Sequence, residues 1–138
     1  MALLVLIPGY PQPVNCSVSL VVNVNDLDNV IYEISNESET SGDAWQYHMI
    51  DLVRSYEAGK PKQHPIGMTV PYPTNPQGSN VDVLNSTADL ISMNGNPDNP
   101  AVATGNKVSL WDTDHLCGIC GSVGWVWKSL TRGHNPLF

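Results

Sequence analysis

Positive charge is scarce in this chain. Lys and Arg number 6 against 13 Asp and Glu, leaving a net charge of -7. That balance argues against a nucleic-acid backbone or an anionic membrane surface as partner. It is compatible with a neutral ligand such as a carbohydrate, without pointing to one. The apolar run at the N-terminus, Ala2 to Ile7, is too short to span a bilayer. It has neither the basic n-region nor the small-residue cleavage site of a secretory signal, and reads as an edge strand or strand-like arm. Cysteines are three, Cys16, Cys117 and Cys120. An odd count is a poor disulfide framework. Cys117-Gly-Ile-Cys120 has CxxC spacing, but a metal or redox role needs a second ligand pair or a thioredoxin-like setting. Neither is visible, so two incidental thiols are expected. The sequence has no Gly-x-Ser-x-Gly elbow, phosphate loop or dinucleotide fingerprint, and no internal repeat.

What is present suits one globular domain. The 138 residues are 41% hydrophobic and 14% charged, enough for a real core rather than a disordered chain. Residues 17–25 are apolar and read as a strand or the end of a helix. A turn rich in Asn and Asp follows at Asn25-Asp26-Leu27-Asp28-Asn29. Residues 30–36 are apolar on both faces, as a covered parallel strand should be. Ser38 to Asp43 offers helix caps, and the next helix is expected over 43–58. Its buried stripe would be Trp45, Met49, Leu52, Val53 and Tyr56, with Gly59 and Pro61 as the stop.

Further strands are expected at 64–69, 88–92 and 107–111, with a short helix near 79–85. A helix over about 122–132 should end at Gly133, and 135–138 should begin another strand. Strands alternating with helices or long connections argue for a parallel sheet. Long connections in a compact domain are usually functional or disordered.

Three ordered segments carry a resemblance. These are Asn36-Glu37 at the end of the first long strand, Lys107 to His115, and Trp125 to Pro136. From Asn29 to Phe138, about four fifths of the chain, the sequence resembles the C-terminal half of a (β/α)8-barrel glycoside hydrolase. The clan concerned places its acid/base glutamate after strand four and its nucleophile on strand seven. The resemblance implies an α/β fold, a parallel-strand half of a TIM-type barrel with about four β/α units, completed by self-association. Residues 1–16 would be an atypical leader or arm, and 17–138 the half-barrel. The chain departs from the clan in having Asp112 or Asp114 where a strand-seven glutamate is expected.

The implied activity is hydrolysis of a β-linked, plant-type oligo- or polysaccharide by two carboxyl groups, with no cofactor. Glu37 would be the acid/base, Asn36 would bond a sugar hydroxyl, and Asp112 or Asp114 would be nucleophile or base. Asp112 and Asp114 would point the same way if the chain stays extended; otherwise they form an Asp-rich turn capping the next element. His115 lies at the same end, and Trp111, Trp125 and Trp127 could offer aromatic platforms to a sugar. Glu37 at a helix entry also has a purely structural explanation. Glu33, deeper in its strand but of the same parity as Glu37, is expected to point into the barrel interior and to sit in a structural ion pair, and His64 is expected as a satisfied histidine opposite the mouth. The alternatives are a non-catalytic carbohydrate-binding or structural half-barrel, and a metal-dependent hydrolase using Asp112, Asp114 and His115.

Overall fold

The computed structural model describes residues 2–5, 23–36, 38, 42–71, 79–99, 102–117 and 120–137. Among the described residues six strands form one sheet: β1 (Ala2–Val5), β2 (Val30–Glu33), β3 (Ile66–Thr69), β4 (Leu90–Ser92), β5 (Val108–Asp112) and β6 (Asn135–Leu137). Every pairing is parallel, and spatial order equals chain order from β1 to β6. Helices lying wholly within the described residues are α1 (Asp43–Glu57), α2 (Asn80–Asn85), α3 (Thr113–Cys117) and α4 (Val123–Leu130), and residues 23 and 24 are also helical. The sheet curls into a half-barrel. Residues 2–5, read from the sequence as an edge strand or strand-like arm, form the edge strand β1 and pair with β2 from Ala2↔Val30 to Val5↔Glu33.

Alternation along each strand sorts the side chains. Val30, Tyr32 and Ile34 of β2 and its extension join Ile66, Met68, Val70, Ile91, Met93 and Trp111 in one buried cluster. Met49, Ile50 and Val53 of α1, Val83 of α2 and Trp125 of α4 pack on the same cluster, which lies on the helix side of the sheet. The register places Glu33, Gly67, Leu90 and Val108 on the opposite, concave side. Thr69, Ser92, Leu110 and Asn135 follow in the next row, and Asp112 with Leu137 lie above them. Pro136 fits because β6 is an edge strand, where a missing N–H breaks no central ladder.

Helix ends follow local chemistry. Ser79 caps α2 through the Val81 N–H at 3.1 Å, and Asp82 returns a bond to the Ser79 N–H at 2.8 Å. Ser122 caps α4 through the Trp125 N–H at 3.2 Å. Gly133, at φ +88°, closes α4, with the Gly133 and His134 N–H groups bonded to the Leu130 and Ser129 carbonyls.

The buried stripe of α1 differs from the expected one. It is Gln46, Met49, Ile50, Val53 and Glu57, while Trp45 is exposed and Leu52 and Tyr56 are half-buried. Two polar residues hide the stripe from a hydrophobicity pattern. Gln46 donates to Ser38 Oγ at 2.6 Å. Glu57 is the hub of a network at the amino-terminal end of the sheet. Its Oε1 accepts from Asn25 Nδ2 (2.7 Å) and Tyr32 Oη (3.0 Å) and lies 2.7 Å from His64 Nδ1. Its Oε2 accepts from the His64 N–H at 2.7 Å. His64 Nε2 lies 2.8 Å from the Leu27 carbonyl. A carbonyl only accepts, so that ring nitrogen carries its proton.

Burial pushes the Glu57 carboxyl up, but the hydrogen bonds from His64, Asn25 and Tyr32 outweigh it and hold the group below its ordinary value. For His64, burial pushes down, and the bonds to Glu57 and the Leu27 carbonyl more than reverse this. Burial and the Glu57 bond push the Tyr32 hydroxyl well up.

The pair therefore contributes stability over a defined window. The His64 share is fully present below its ordinary value of 6.5 and is lost as pH rises through its raised folded value. The Glu57 share is fully present above 4.5 and is lost as pH falls through its lowered folded value. Urea midpoints measured across pH should plateau between these limits and fall on both sides, and in His64→Gln the alkaline fall should disappear below the ordinary Tyr32 value of 10.0. Glu57→Ala should cost about 3–5 kcal/mol by chemical denaturation, because it strands a buried imidazolium.

Candidate functional site

The carboxyl ends of the strands converge at one rim, where parallel α/β sheets place their ligands. Glu37 lies outside the described residues. Asn36, just before it, is exposed beyond the end of β2. Asp112 is the last residue of β5, half-buried and on the concave side. Its Oδ1 accepts the Asp114 N–H at 3.0 Å, so it caps α3. Asp114 is exposed within α3. The expectation that Asp112 and Asp114 point the same way assumed an extended chain. It fails because helix begins at Thr113. His115 is in α3, and its side chain lies outside the described residues.

The three tryptophans separate. Trp111 is 1% exposed and stacks on His134, ring centroids 4.7 Å apart. The Gly95 backbone lies against its indole so closely that a Cβ there would overlap the ring. Trp125 is buried in the helix-side core. Neither presents a face to the concave rim, contrary to the platform expectation. The cause is strand parity: Asp112 faces the concave side, so its neighbour Trp111 must face the helices. Trp127 is 63% exposed on α4. Trp111→Ala should accordingly cost about 3–5 kcal/mol, whereas Trp127→Ala should stay within about 0.5 kcal/mol, both read from denaturant midpoints.

Sequence reasoning placed Glu33 in an ion pair. It does point to the concave side, but among the described residues it has no ion pair, and its Oε1 accepts from the Thr69 hydroxyl at 2.6 Å. Gly67, its cross-strand neighbour, adds no side chain between them. The signal was legible: Glu33 and Thr69 share strand parity with the concave rows. Among the described strand residues, the concave side carries the carboxylates of Glu33 and Asp112 and no Lys, Arg or His. The rest of the described strand lining is Gly, Ser, Thr, Asn and aliphatic groups.

Other rim groups are held tightly. Asn80 and Asn94 exchange two bonds, Nδ2 to the Asn94 carbonyl at 2.7 Å and the Asn94 N–H to Oδ1 at 2.9 Å. This ties the start of α2 to the exit of β4. Burial, then the Asp82 charge, raises the Asp43 carboxyl above its ordinary value.

Cys117 and Cys120 are joined by a disulfide, Cα atoms 5.8 Å apart, rather than standing as two incidental thiols. Among the described residues, no group of three or more His, Cys, Asp or Glu is placed to hold a metal ion, and no helix is long and apolar enough to cross a membrane. No protein-family model, curated protein or solved structure matches the chain.

Proposed function

We propose that the chain is half of a (β/α)8-barrel glycoside hydrolase acting on a β-linked oligo- or polysaccharide. One observation carries this reading. The segment Asn36-Glu37 follows β2 and Asp112 ends β5, three strands apart on one parallel sheet. The clan that the sequence resembles separates its acid/base and nucleophile by the same three strands. Along a flat sheet three strand spacings are roughly 14 Å. Closure of a barrel brings such side chains toward the 5–9.5 Å range, approximately, in which carboxyl pairs work. Absence of cations from the described concave lining supports a neutral substrate over an anionic one.

In this reading Glu37 donates a proton to the leaving glycosidic oxygen, and Asp112 attacks the anomeric carbon or activates water. Asn36 bonds a ring hydroxyl, and Trp127 is the remaining candidate aromatic platform. A second copy completes the barrel by covering the open edges at β1 and β6.

A non-catalytic half-barrel that binds carbohydrate is the second reading. It is favoured by the Asp112 Oδ1 bond to the Asp114 N–H, which accounts for that carboxylate as a helix cap.

The test is hydrolysis of a panel of aryl-glycosides and polysaccharides. Glu37→Gln and Asp112→Asn should each lower kcat by at least about a hundredfold. Asn caps helices as well as Asp does, so Asp112→Asn should leave the melting temperature unchanged. Saturable sugar binding without turnover in the wild type would favour the second reading. Neither binding nor turnover would overturn both. Light scattering at micromolar concentration should report an oligomer, and a monomer would remove closure by a second copy.

A further inference from the structure

The Cys117–Cys120 bond is poorly explained as a clamp on the fold. It joins residues three apart in sequence. A loop that short removes little entropy from the unfolded chain. The flanking helices have their own anchors: Asp112 holds the start of α3, and Ser122 caps α4. Nor do the two sulfurs belong to a larger cluster of metal-ligating side chains among the described residues. What remains is an accessible sulfur pair whose Cα separation suits both a closed and an open state.

The two sulfurs are unequal. Cys117 is exposed as the last residue of α3, and Cys120 is half-buried ahead of α4. Access decides which sulfur of a disulfide an external thiolate reaches.

We propose that Cys117 and Cys120 form a reversible thiol–disulfide site, opened by a glutathione-type monothiol that attacks Cys117. The thiolate adds to Cys117 Sγ, and the bond to Cys120 Sγ breaks. Cys120 leaves with the electron pair and takes a proton from water. A second thiol then attacks the sulfur of the adduct, releasing the external disulfide and the Cys117 thiol. Two external thiols lose two electrons in all, and the protein disulfide becomes two thiols. The exchange itself is independent of the glycosidase reading.

The test uses the full chain in a Cys16→Ser background, purified without reductant. Denaturation with iodoacetamide should leave both cysteines unalkylated, as read by intact mass. Incubating the native protein with reduced glutathione should make both alkylate, and glutathione disulfide should close the pair again. Free thiols that glutathione disulfide fails to close would overturn the proposal, as would a bond that opens only after denaturation. The direction of attack is read by quenching the reaction with reduced glutathione in acid and locating the mixed disulfide by peptide mass: the adduct should sit on Cys117. An adduct found mainly on Cys120, or equally on both, would overturn Cys117 as the attacked sulfur.

Discussion

The Glu57 carboxylate gathers partners from three separate stretches of chain. Asn25 comes from the turn before β2, Tyr32 from β2 itself, and His64 from the approach to β3. Four close contacts on one buried carboxylate fix the end of α1 against the amino-terminal edge of the sheet. Around this point β2 and β3 set their register, and from that register follows which residues face the concave side. A buried charge is tolerated here because every oxygen is occupied and an imidazolium lies alongside. Removing any one partner leaves the others desolvated and unmatched, so the cluster behaves as a unit.

Much of the architecture was legible in the residues. The expected strands at 30–36, 64–69, 88–92 and 107–111 contain β2 to β4 and most of β5, and the expected helix at 43–58 contains α1. The clear signals were β-branched runs bounded by turn residues, and Gly133 past the end of α4. What escaped had specific causes. The α1 stripe includes Gln46 and Glu57, whose burial depends on partners distant in sequence. The five-residue α3 has too few turns for periodicity to register. The N-terminal run was legible as an edge strand or an arm, and only its long-range pairing with β2 decides between the two.

At the rim, parity proved more informative than residue type. Trp111 and Asp112 were both attractive as site residues, yet adjacent positions on a strand face opposite sides, so both could not line one surface. Asp112 takes the concave side and Trp111 the core. Parity also places Glu33 on the concave side, where its described partner is a threonine hydroxyl rather than a cation. The described strand face that results mixes two carboxylates with hydroxyl, amide and aliphatic groups and carries no cation among the described strand residues.

Because each strand lies beside the strand that precedes it in the chain, assembly of the sheet has a natural direction. A segment leaving the ribosome meets a template that has already emerged, and no later strand has to be inserted between two earlier ones. The sheet can lengthen one β-strand and its connection at a time, with each addition exposing a fresh edge for the next. The same order makes loss from either end a shortening rather than a disruption: without β6, the pairings from β1 to β5 are left intact. Sequence order thus doubles as a schedule of growth, and the unit that can be gained or lost is a strand with its connection.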